Sequence, residues 1–324
     1  MSAYLFVHFQ EKKTPDGEQA RFAVSKDGYH WEALNGGQPV LWSYKGEKGG
    51  RDFAIVRNRF NGKFYILGTD LSLSYEMNGR YGGSWEAISR KGSKSLILWE
   101  SEDLVRWSDQ KLLPLGDETF GCLWAPDVIY DPAEENYIVH WSSSRSFDDF
   151  SSKAIYASRT RDFEHFTQPF LLFELEGSTV IDSAIYEENG WYYLFVKNED
   201  RATRIRLYKS ESPTGPYVPV ESFDKSMDKL EAGMYEGPAA VQLADGSWNL
   251  FLDYYGKNRK GIGYVAFHGE SLAAGNFECC EENCFFPYLF KHGTILKITE
   301  EEYNRLKSWN WEKGEKEKQE KTCS

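Results

Sequence analysis

The feature that most constrains the fold of this 324-residue chain is an ordered repeat of three kinds of short segment, each present five times. The kinds are a small apolar segment that opens with a polar residue or Gly, an aromatic segment and a hairpin segment, all with the period-2 alternation of β-strands. They recur at roughly 50 to 75 residues, the size of one β-propeller blade. The small apolar segments are "DFAIV" from Asp52, "PDVIY" from Pro126, "DSAIY" from Asp182, "GPAAV" from Gly237 and "HGTIL" from His292. The aromatic segments begin at Tyr4, Phe64, Tyr137, Trp191 and Trp248, and the hairpins at Phe22, Ile97, Ile155, Ile205 and Gly263.

This order predicts an all-β, five-bladed propeller. The chain starts with an aromatic segment, in the middle of a unit, and ends with a lone small segment, "HGTILKI". We therefore expect the C-terminal strand to pair with the N-terminal strands and complete one blade, which removes exposed sheet edges. A β-sandwich is the alternative, although a fivefold ordered triplet is difficult to place in two packed sheets. Residues 1–308 are predicted to form a single domain, with 309–324 a charged, disordered tail; "TEEEYNRLKSW" has the only clear helical periodicity.

The charge and composition of the chain limit the classes of molecule that it is expected to bind. The net charge is −12, and an acidic surface repels phosphate backbones, which argues against nucleic acid. No apolar run reaches the roughly 20 residues of a membrane helix. The N-terminus "MSAYLFVHFQEKK" has no basic region, so a cytoplasmic protein with free thiols is expected. The "CCEENC" cluster lacks the second paired half of a zinc site, which argues against a metal there.

Polar residues at the starts of the small apolar segments are predicted to meet, because the first strand of each blade lines the central channel of a propeller. Several carboxylates around a narrow channel suit glycoside hydrolysis, which needs one carboxylic acid to protonate the leaving oxygen and one carboxylate to activate water. Carboxylates on different blades leave room for that water, so inversion of configuration is expected. A third carboxylate near the acid is expected to raise the pKa of the acid. The five residues are Asp52, Asp127, Asp182, Glu236 and His292.

The motifs that contain these residues resemble glycoside hydrolase family 43 over nearly the whole chain, from about Tyr4 to about Leu306. That family comprises five-bladed propellers active on β-xylosides and α-L-arabinofuranosides, with some arabinanases and galactosidases. One motif falls in each blade, and the ordered set is more specific than any single motif. The motifs are "RDFAIVRNRFNGKFYILGTD", "LWAPDVIYDPAEENYIVHWSSS", "VIDSAIYEENGWYYLFVKNE", "YEGPAAVQLADGSWNLFLDYYG" and "KHGTILKIT".

The resemblance implies a role for each matching residue. Asp52 matches the general base, Asp182 the carboxylate that tunes and orients the acid, and Glu236 the general acid. Trp124 and Ala125 match a "WAP" motif that lines the sugar pocket. His292 matches a histidine on the channel axis, beside which many members hold a hydrated calcium or other cation. His292 is therefore a candidate for holding a cation through water, although the chemistry requires no cofactor.

Further residues are expected near the sugar. The family usually has Pro after the base and often after the second Asp, where this chain has Phe53 and Ser183. Phe53 is therefore expected to reshape the sugar subsite, and Phe120 and Tyr235 to lie on the same rim. Asp127 is a rival to Asp182, but one residue along a strand reverses the side-chain direction, so Asp127 is expected to point away.

Two longer segments, "LSYEMNGRYGGSWEAISRKGSKS" and "VESFDKSMDKLEAGMY", are predicted on the catalytic rim. Tyr75, Tyr81 and Trp85 of the first segment are candidates to wall off the pocket and make the enzyme exo-acting. The predicted function is an inverting exo-glycosidase that releases xylose and/or arabinofuranose from short xylan, arabinoxylan or arabinan oligosaccharides. The alternatives are an endo-arabinanase or exo-galactosidase of the same fold, or a non-catalytic carbohydrate-binding propeller.

Overall fold

The computed structural model describes residues 2–199, 204–256 and 263–311, and in this part of the chain the fold is all-β with three short α-helices. The strands are β1 (Ser2–Phe9), β2 (Arg21–Ser25), β3 (Glu32–Ala33), β4 (Gly50–Arg57), β5 (Phe64–Asp70), β6 (Leu96–Ser101), β7 (Lys111–Leu113), β8 (Trp124–Asp131), β9 (Asn136–Ser144), β10 (Lys153–Thr160), β11 (Phe170–Phe173), β12 (Val180–Glu188), β13 (Trp191–Asn198), β14 (Arg204–Ser210), β15 (Val218–Pro219), β16 (Tyr235–Gln242), β17 (Trp248–Tyr254), β18 (Gly263–Gly269), β19 (Glu278–Cys279) and β20 (Lys291–Thr299). The helices are α1 (Trp85–Lys91), α2 (Glu221–Met227) and α3 (Glu300–Ser308).

The strands form sheets of four. Three separate sheets have the orders β11-β10-β9-β8, β12-β13-β14-β15 and β16-β17-β18-β19. The remaining eight strands have the order β3-β2-β1-β20-β4-β5-β6-β7, in which a single parallel pairing of Gly293 with Phe53 joins two further groups of four. Each group of four contains one small apolar strand, one aromatic strand and a hairpin, as the repeat predicted.

Strand β20 lies between β1 and β4. β20 pairs antiparallel with β1 from Thr299 opposite Ser2 to Lys291 opposite Phe9. The small apolar strands also contact one another in sequence: β4 contacts β8, β8 contacts β12, β12 contacts β16, β16 contacts β20 and β20 contacts β4. These five small apolar strands therefore surround a common space.

A bulge with a left-handed residue recurs near the start of four of the small apolar strands. The pairing register shifts between Arg51 and Ala54, Trp124 and Asp127, Ile181 and Ala184, and Glu236 and Ala239. Such a bulge adds a residue and re-aims the side chains around it. The residue at the left-handed position has φ of 50° at Asp52, 48° at Ala125, 54° at Asp182 and 56° at Gly237.

These bulges correct one alignment made from the sequence. The segments "DFAIV" and "PDVIY" were matched at their first letters, which put Pro126 opposite Asp52. In the structure Ala125, not Pro126, is equivalent to Asp52, and Asp127 is equivalent to Ala54. Asp127 therefore lies deeper along its strand than the other acidic residues of the predicted ring.

The core is divided into apolar clusters between neighbouring sheets. The cluster between the β20-β1-β2 and β4-β5-β6 groups contains Phe22, Trp99 and Leu306, and Trp309 and Trp311 pack against it. Trp309 and Trp311 fall in the segment predicted to be disordered, so that prediction is wrong for these two residues; 312–324 lie outside the described residues. The predicted C-terminal helix is α3, which begins with a capping box formed by Thr299 and Glu302. Among the described residues, no helix has the length and apolar character required to cross a membrane.

Candidate active site

The starts of β4, β12 and β16 bring three of the predicted residues to the start of β20. His292 Nδ1 lies 3.5 Å from Asp52 Oδ1. The pKa of His292 is raised to about 9: burial opposes its charge, but a hydrogen bond with Asp52 and the negative charges of Asp182, Asp52 and Glu236 outweigh burial. The imidazole is thus a cation shared by three carboxylates.

Asp52 is held in its ionised form. Thr69 Oγ1, on the neighbouring strand β5, donates a hydrogen bond to Asp52 Oδ2 at 2.9 Å. Burial opposes ionisation, but His292, Arg51 and Thr69 together hold the pKa of Asp52 below its usual value. A partly buried carboxylate that stays ionised and keeps a free lone pair is suited to accept a proton from water.

Asp182 occupies the equivalent backbone position on β12 but holds a proton more tightly. It is 7% exposed, and its Oδ2 accepts a hydrogen bond from the backbone N–H of Gly237 at 3.1 Å. Its pKa is raised to about 6, by burial first and then by the negative charges of Glu236 and Asp52, although His292 and Lys197 oppose the rise. Asp182 is therefore the carboxylate of this cluster that is protonated near pH 5.

Glu236 is paired with a buried lysine that the sequence analysis did not identify. Lys197 Nζ, on β13, lies 2.7 Å from Glu236 Oε2. Burial opposes the charge of Glu236, but Lys197, His292 and Tyr255 outweigh it and lower the pKa of Glu236. The expected rise in pKa from like-charge repulsion is therefore found at Asp182 and not at Glu236.

Gly237 gives His292 the space to approach the carboxylates. A Cβ atom at Gly237 would lie 2.7 Å from His292 Cγ, closer than real Cβ atoms approach other atoms. Its φ of 56° is also a conformation that glycine adopts without strain. The Gly-Pro that follows Glu236 thus has a spatial reason, because the ring of His292 packs on the bare Cα of Gly237.

Trp124 and Ala125 border the same space. The backbone N–H of Ala125 donates to Thr69 Oγ1 at 2.8 Å, so Thr69 connects β8 to Asp52. Trp124 is partly exposed, and the ring of Trp85 in α1 meets it edge-on with centroids 6.2 Å apart. Trp85 is 48% exposed, which leaves a ring face free beside Trp124.

The first long segment is anchored beside this pair. Tyr81 is 2% exposed and donates a hydrogen bond to Glu47, and it packs with Leu71, Ile88 and Trp124. Tyr81 is thus a buried support for the segment and not a wall of the pocket, whereas Tyr75 and Trp85 are exposed.

Three residues predicted at the sugar subsite are buried in the core instead. Phe53, Phe120 and Tyr235 are 1%, 2% and 3% exposed. Phe53 packs near Trp99, and Phe120 lies in a different apolar cluster. Tyr235 stacks on Tyr254 with centroids 4.5 Å apart. These predictions are wrong because all three rings are packed into apolar clusters, where no ring face remains exposed for a sugar.

Asp127 lies apart from the Asp52–His292 contact, because it is equivalent to Ala54 and not to Asp52. Its Oδ1 accepts the backbone N–H of Val128 at 2.8 Å. Burial raises its pKa to about 7, with the charge of His292 opposing the rise. Asp127 therefore lies within electrostatic reach of His292, deeper along the channel-facing strand.

The side chains around His292 do not fit a directly bound cation. Direct metal coordination requires a neutral imidazole, whereas the negative charges of Asp182, Asp52 and Glu236 favour the protonated form of His292. Across 2–199, 204–256 and 263–311, no group of three or more His, Cys, Asp or Glu side chains has the geometry to hold a metal ion.

A second buried charge network flanks the site. Arg51 Nη1 lies 2.9 Å from Glu18 Oε1, and Lys291 Nζ lies 3.0 Å from Asp253 Oδ1. Burial raises the pKa of Asp253 to about 7, even though Lys291 opposes the rise. Arg51 and Lys291 directly precede Asp52 and His292, and Asp253 lies opposite Glu236 on the neighbouring strand. The signal in the sequence that identifies Asp253 is a charged residue inside an otherwise apolar strand.

The cluster has the parts for acid–base hydrolysis of a glycosidic bond. It has one ionised carboxylate on one strand, Asp52, and two interacting carboxylates on two others, Asp182 and Glu236, which share a proton near pH 5. The fold and the cluster together define a protein of the glycoside hydrolase class.

Comparison with known proteins gives the family. A family model described as a probable glycosyl hydrolase domain, related to glycoside hydrolase family 43, matches residues 1–304. The chain belongs to this family and is a glycosidase by class.

The chain is similar to an α-L-arabinofuranosidase of Bifidobacterium longum subsp. longum, with 26% identity over 276 residues. The match covers 75% of this chain and 25% of that protein, so this chain spans about a quarter of the length of its curated relative. Its fold is similar to that of an endo-1,4-β-xylanase from Bacteroides thetaiotaomicron, with 15% identity, a TM-score of 0.58, and coverage of 90% of this chain and 93% of that one. A family 43 protein of Bacillus licheniformis has 16% identity and a TM-score of 0.58, with 90% and 54% covered.

Proposed function

We propose that this protein is an inverting, exo-acting glycosidase that releases arabinofuranose and/or xylose from short plant cell-wall oligosaccharides. The observation that carries the proposal is the gathering of Asp52, Asp182 and Glu236 around His292, with opposite shifts in the pKa of two equivalent aspartates. The similarity to the arabinofuranosidase of Bifidobacterium longum supports this substrate class.

In the proposed reaction, Asp52 takes a proton from the water that attacks the anomeric carbon. Glu236 delivers a proton to the leaving oxygen on the opposite side of the sugar, and Asp182 shares that proton with Glu236 in the free protein. His292 and Thr69 fix Asp52 in its ionised form. Water entry opposite the leaving group inverts the anomeric centre.

The architecture proposed for this reaction is a five-bladed propeller in a single domain, closed by β20. The support is the five groups of four strands, the antiparallel pairing of β20 with β1, and the cyclic contacts of the small apolar strands. Exo action is supported by the first long segment, which places Trp85 beside Trp124 at the edge of the cluster.

The test is a panel of aryl β-xylosides and aryl α-L-arabinofuranosides, compared with oligosaccharides. Turnover with an initial product of inverted configuration, detected by NMR, is expected. Glu236→Ala should lose most activity on substrates with poor leaving groups, because a stable leaving group needs little protonation. Glu187→Ala, which removes an exposed carboxylate from the same strand as Asp182, is the control and should keep activity. Equal loss on all leaving groups in Glu236→Ala would contradict the acid assignment.

An endo-acting alternative has one specific support, the fold similarity to an endo-1,4-β-xylanase over nearly the full length of that protein. Product analysis of a long oligosaccharide distinguishes the two. Single sugars from the first time point support exo action, whereas fragments of several lengths support endo action. Sugar binding without turnover on any substrate would instead support a carbohydrate-binding protein.

A further inference from the structure

Lys197 is a buried cation in direct contact with the proposed acid. Its side chain is 6% exposed, and its Nζ lies 2.7 Å from Glu236 Oε2. Two neighbouring strands place it there. β13 pairs with β12, so that Lys197 lies opposite Ile181, the residue before Asp182. β13 also contacts β16, the strand that contains Glu236. Lys197 is therefore adjacent to both members of the Asp182–Glu236 pair.

This contact conflicts with a simple acid. A general acid must hold a proton before the reaction, yet a carboxylate that faces an ammonium group at 2.7 Å is strongly stabilised as the anion. The proton that the reaction requires is therefore not on Glu236 in the free protein. Asp182 is the neighbouring carboxylate with the environment to hold it, since it is 7% exposed and close to the negative charge of Glu236.

We propose that Lys197 is a positioning residue that limits the Asp182–Glu236 pair to a single proton and keeps that proton on Asp182 until the substrate binds. The inference rests on the proposed function, in which Glu236 protonates the leaving oxygen. In each turnover the pair gives up its one proton, which reaches the leaving oxygen through Glu236, and the attacking water gives its proton to Asp52. The products are a neutral alcohol and a free sugar, and the pair regains a proton from solvent.

The other charged and titratable groups around Glu236 do not replace Lys197. His292 is cationic but is shared with Asp52 at 3.5 Å. Tyr255 donates a hydrogen bond to Glu11, although it also favours the charge of Glu236. Asp182 and Asp253 repel that charge.

Lys197 itself faces one further carboxylate. Glu199 lies two residues after Lys197, just beyond the end of β13. Its Oε2 lies 2.8 Å from Lys153 Nζ. Glu199 therefore has a cation of its own, and Glu236 is the carboxylate that Lys197 contacts. Among its neighbours, Lys197 thus has the largest effect in stabilising the charge of Glu236.

The experiment is the pH dependence of kcat/KM for Lys197→Met and Lys197→Arg. In the wild type, activity should fall above about pH 6, where the pair loses its shared proton. Lys197→Met removes the cation, so the pair should hold its proton to higher pH and the upper limit should rise by about one unit. Lys197→Arg keeps the charge and should restore the wild-type limit.

Lys291→Met is the matched control, because Lys291 is an equally buried lysine that is paired with Asp253 at 3.0 Å. The largest influences on the pKa of Glu236 and of Asp182 do not include Lys291, so its removal should act mainly on Asp253. The control should lose thermal stability without moving the upper pH limit. A limit that is unchanged in Lys197→Met, or moves equally in both variants, would overturn the inference and leave the proposed function standing.

A thermal double-mutant cycle of Lys197→Met and Glu236→Gln measures the interaction between Lys197 and Glu236 without any turnover. Lys197→Met should lower Tm clearly at pH 8 in the wild-type background and much less in the Glu236→Gln background. Equal losses in both backgrounds would show that Lys197 does not depend on Glu236 and would overturn the inference. If the wild type cleaves no glycoside, the proposed function fails, and the cycle still decides whether Lys197 fixes the charge of the pair.

Discussion

Asp52 and Asp182 occupy the same position in two different groups of four strands, yet their surroundings shift their pKa values in opposite directions. Both are the left-handed residue of a bulge, with φ of 50° and 54°. Asp52 accepts from Thr69, lies beside His292, and has a lowered pKa. Asp182 accepts a backbone N–H from Gly237, faces Glu236, and has a pKa raised to about 6.

The difference shows that the backbone repeat brings the carboxylates together and the neighbouring strands set their protonation. The bulge is supplied by each small apolar strand, but Thr69, Lys197 and His292 come from β5, β13 and β20. The same backbone position thus holds a base in Asp52 and a protonated carboxyl group in Asp182, because the charges around the two side chains differ.

The largest effect is expected for Asp52→Asn, which removes the proposed base and keeps the shape of the side chain. Activity should fall by about 10³-fold on all leaving groups. Azide should partly restore Asp52→Ala and give the inverted glycosyl azide, because a strong nucleophile does not need a base. If neither change affects turnover, the assignment of Asp52 is wrong and the contrast with Asp182 loses its chemical meaning.

Asp182→Asn should cost about 10²-fold at pH 5, less than the change at Asp52. The amide keeps an oxygen to accept the N–H of Gly237 but can neither hold nor share a proton with Glu236. The pH profile of kcat/KM is the measurement, and the upper limit near pH 6 should disappear or move. A profile with the wild-type limit would place the shared proton elsewhere.

Gly237→Ala should destabilise the fold by about 2 kcal/mol and lower kcat/KM by about tenfold. The added methyl group meets the ring of His292 and is placed on a left-handed residue. The displaced imidazole would stabilise Asp52 less, so the lower pH limit of activity should rise. Chemical denaturation and a pH profile measure the two effects, and Gly62→Ala, at another left-handed glycine with open space around it, is the control for strain alone.

Thr69→Val is expected to have the smallest effect, a loss of about threefold that grows as the pH falls. Thr69 donates to the ionised form of Asp52, so its removal raises the pKa of Asp52. Asp52 acts as a base only when it is ionised, and its lowered pKa keeps it ionised down to a lower pH. Removing Thr69 weakens this stabilisation, so the lower pH limit of kcat/KM should move upward. Steady-state rates between pH 3 and pH 6 test this, and a uniform loss across that range would contradict it.

The order of segments in the sequence was sufficient to predict the groups of four strands, the partner of β20 and the convergence of Asp52, Asp182, Glu236 and His292. These features depend on alternation and repetition, which are local properties of the chain. The alignment that put Pro126 opposite Asp52 was wrong because a bulge adds a residue, and the sequence pattern does not show where the added residue falls.

The partners that set the chemistry were not predictable in the same way. Lys197 lies in an aromatic strand, 39 residues from Glu236, and meets it only because β13 and β16 belong to neighbouring sheets. Phe53, Phe120 and Tyr235 have the residue types that bind sugars, but those types also fill cores, and burial decides between the two uses. Contacts between neighbouring sheets are therefore the part of the site that could not be predicted from the sequence.

The pairing of β20 with β1 has a consequence for the order in which the protein matures. On the ribosome β1 is synthesised before β20, which supplies His292, so this edge of β1 has no partner until β20 has emerged. Until then the chain exposes the hydrogen-bonding edge of β1 and lacks the cation that keeps Asp52 ionised. On the ribosome, catalytic competence and protection of that edge would therefore arrive together.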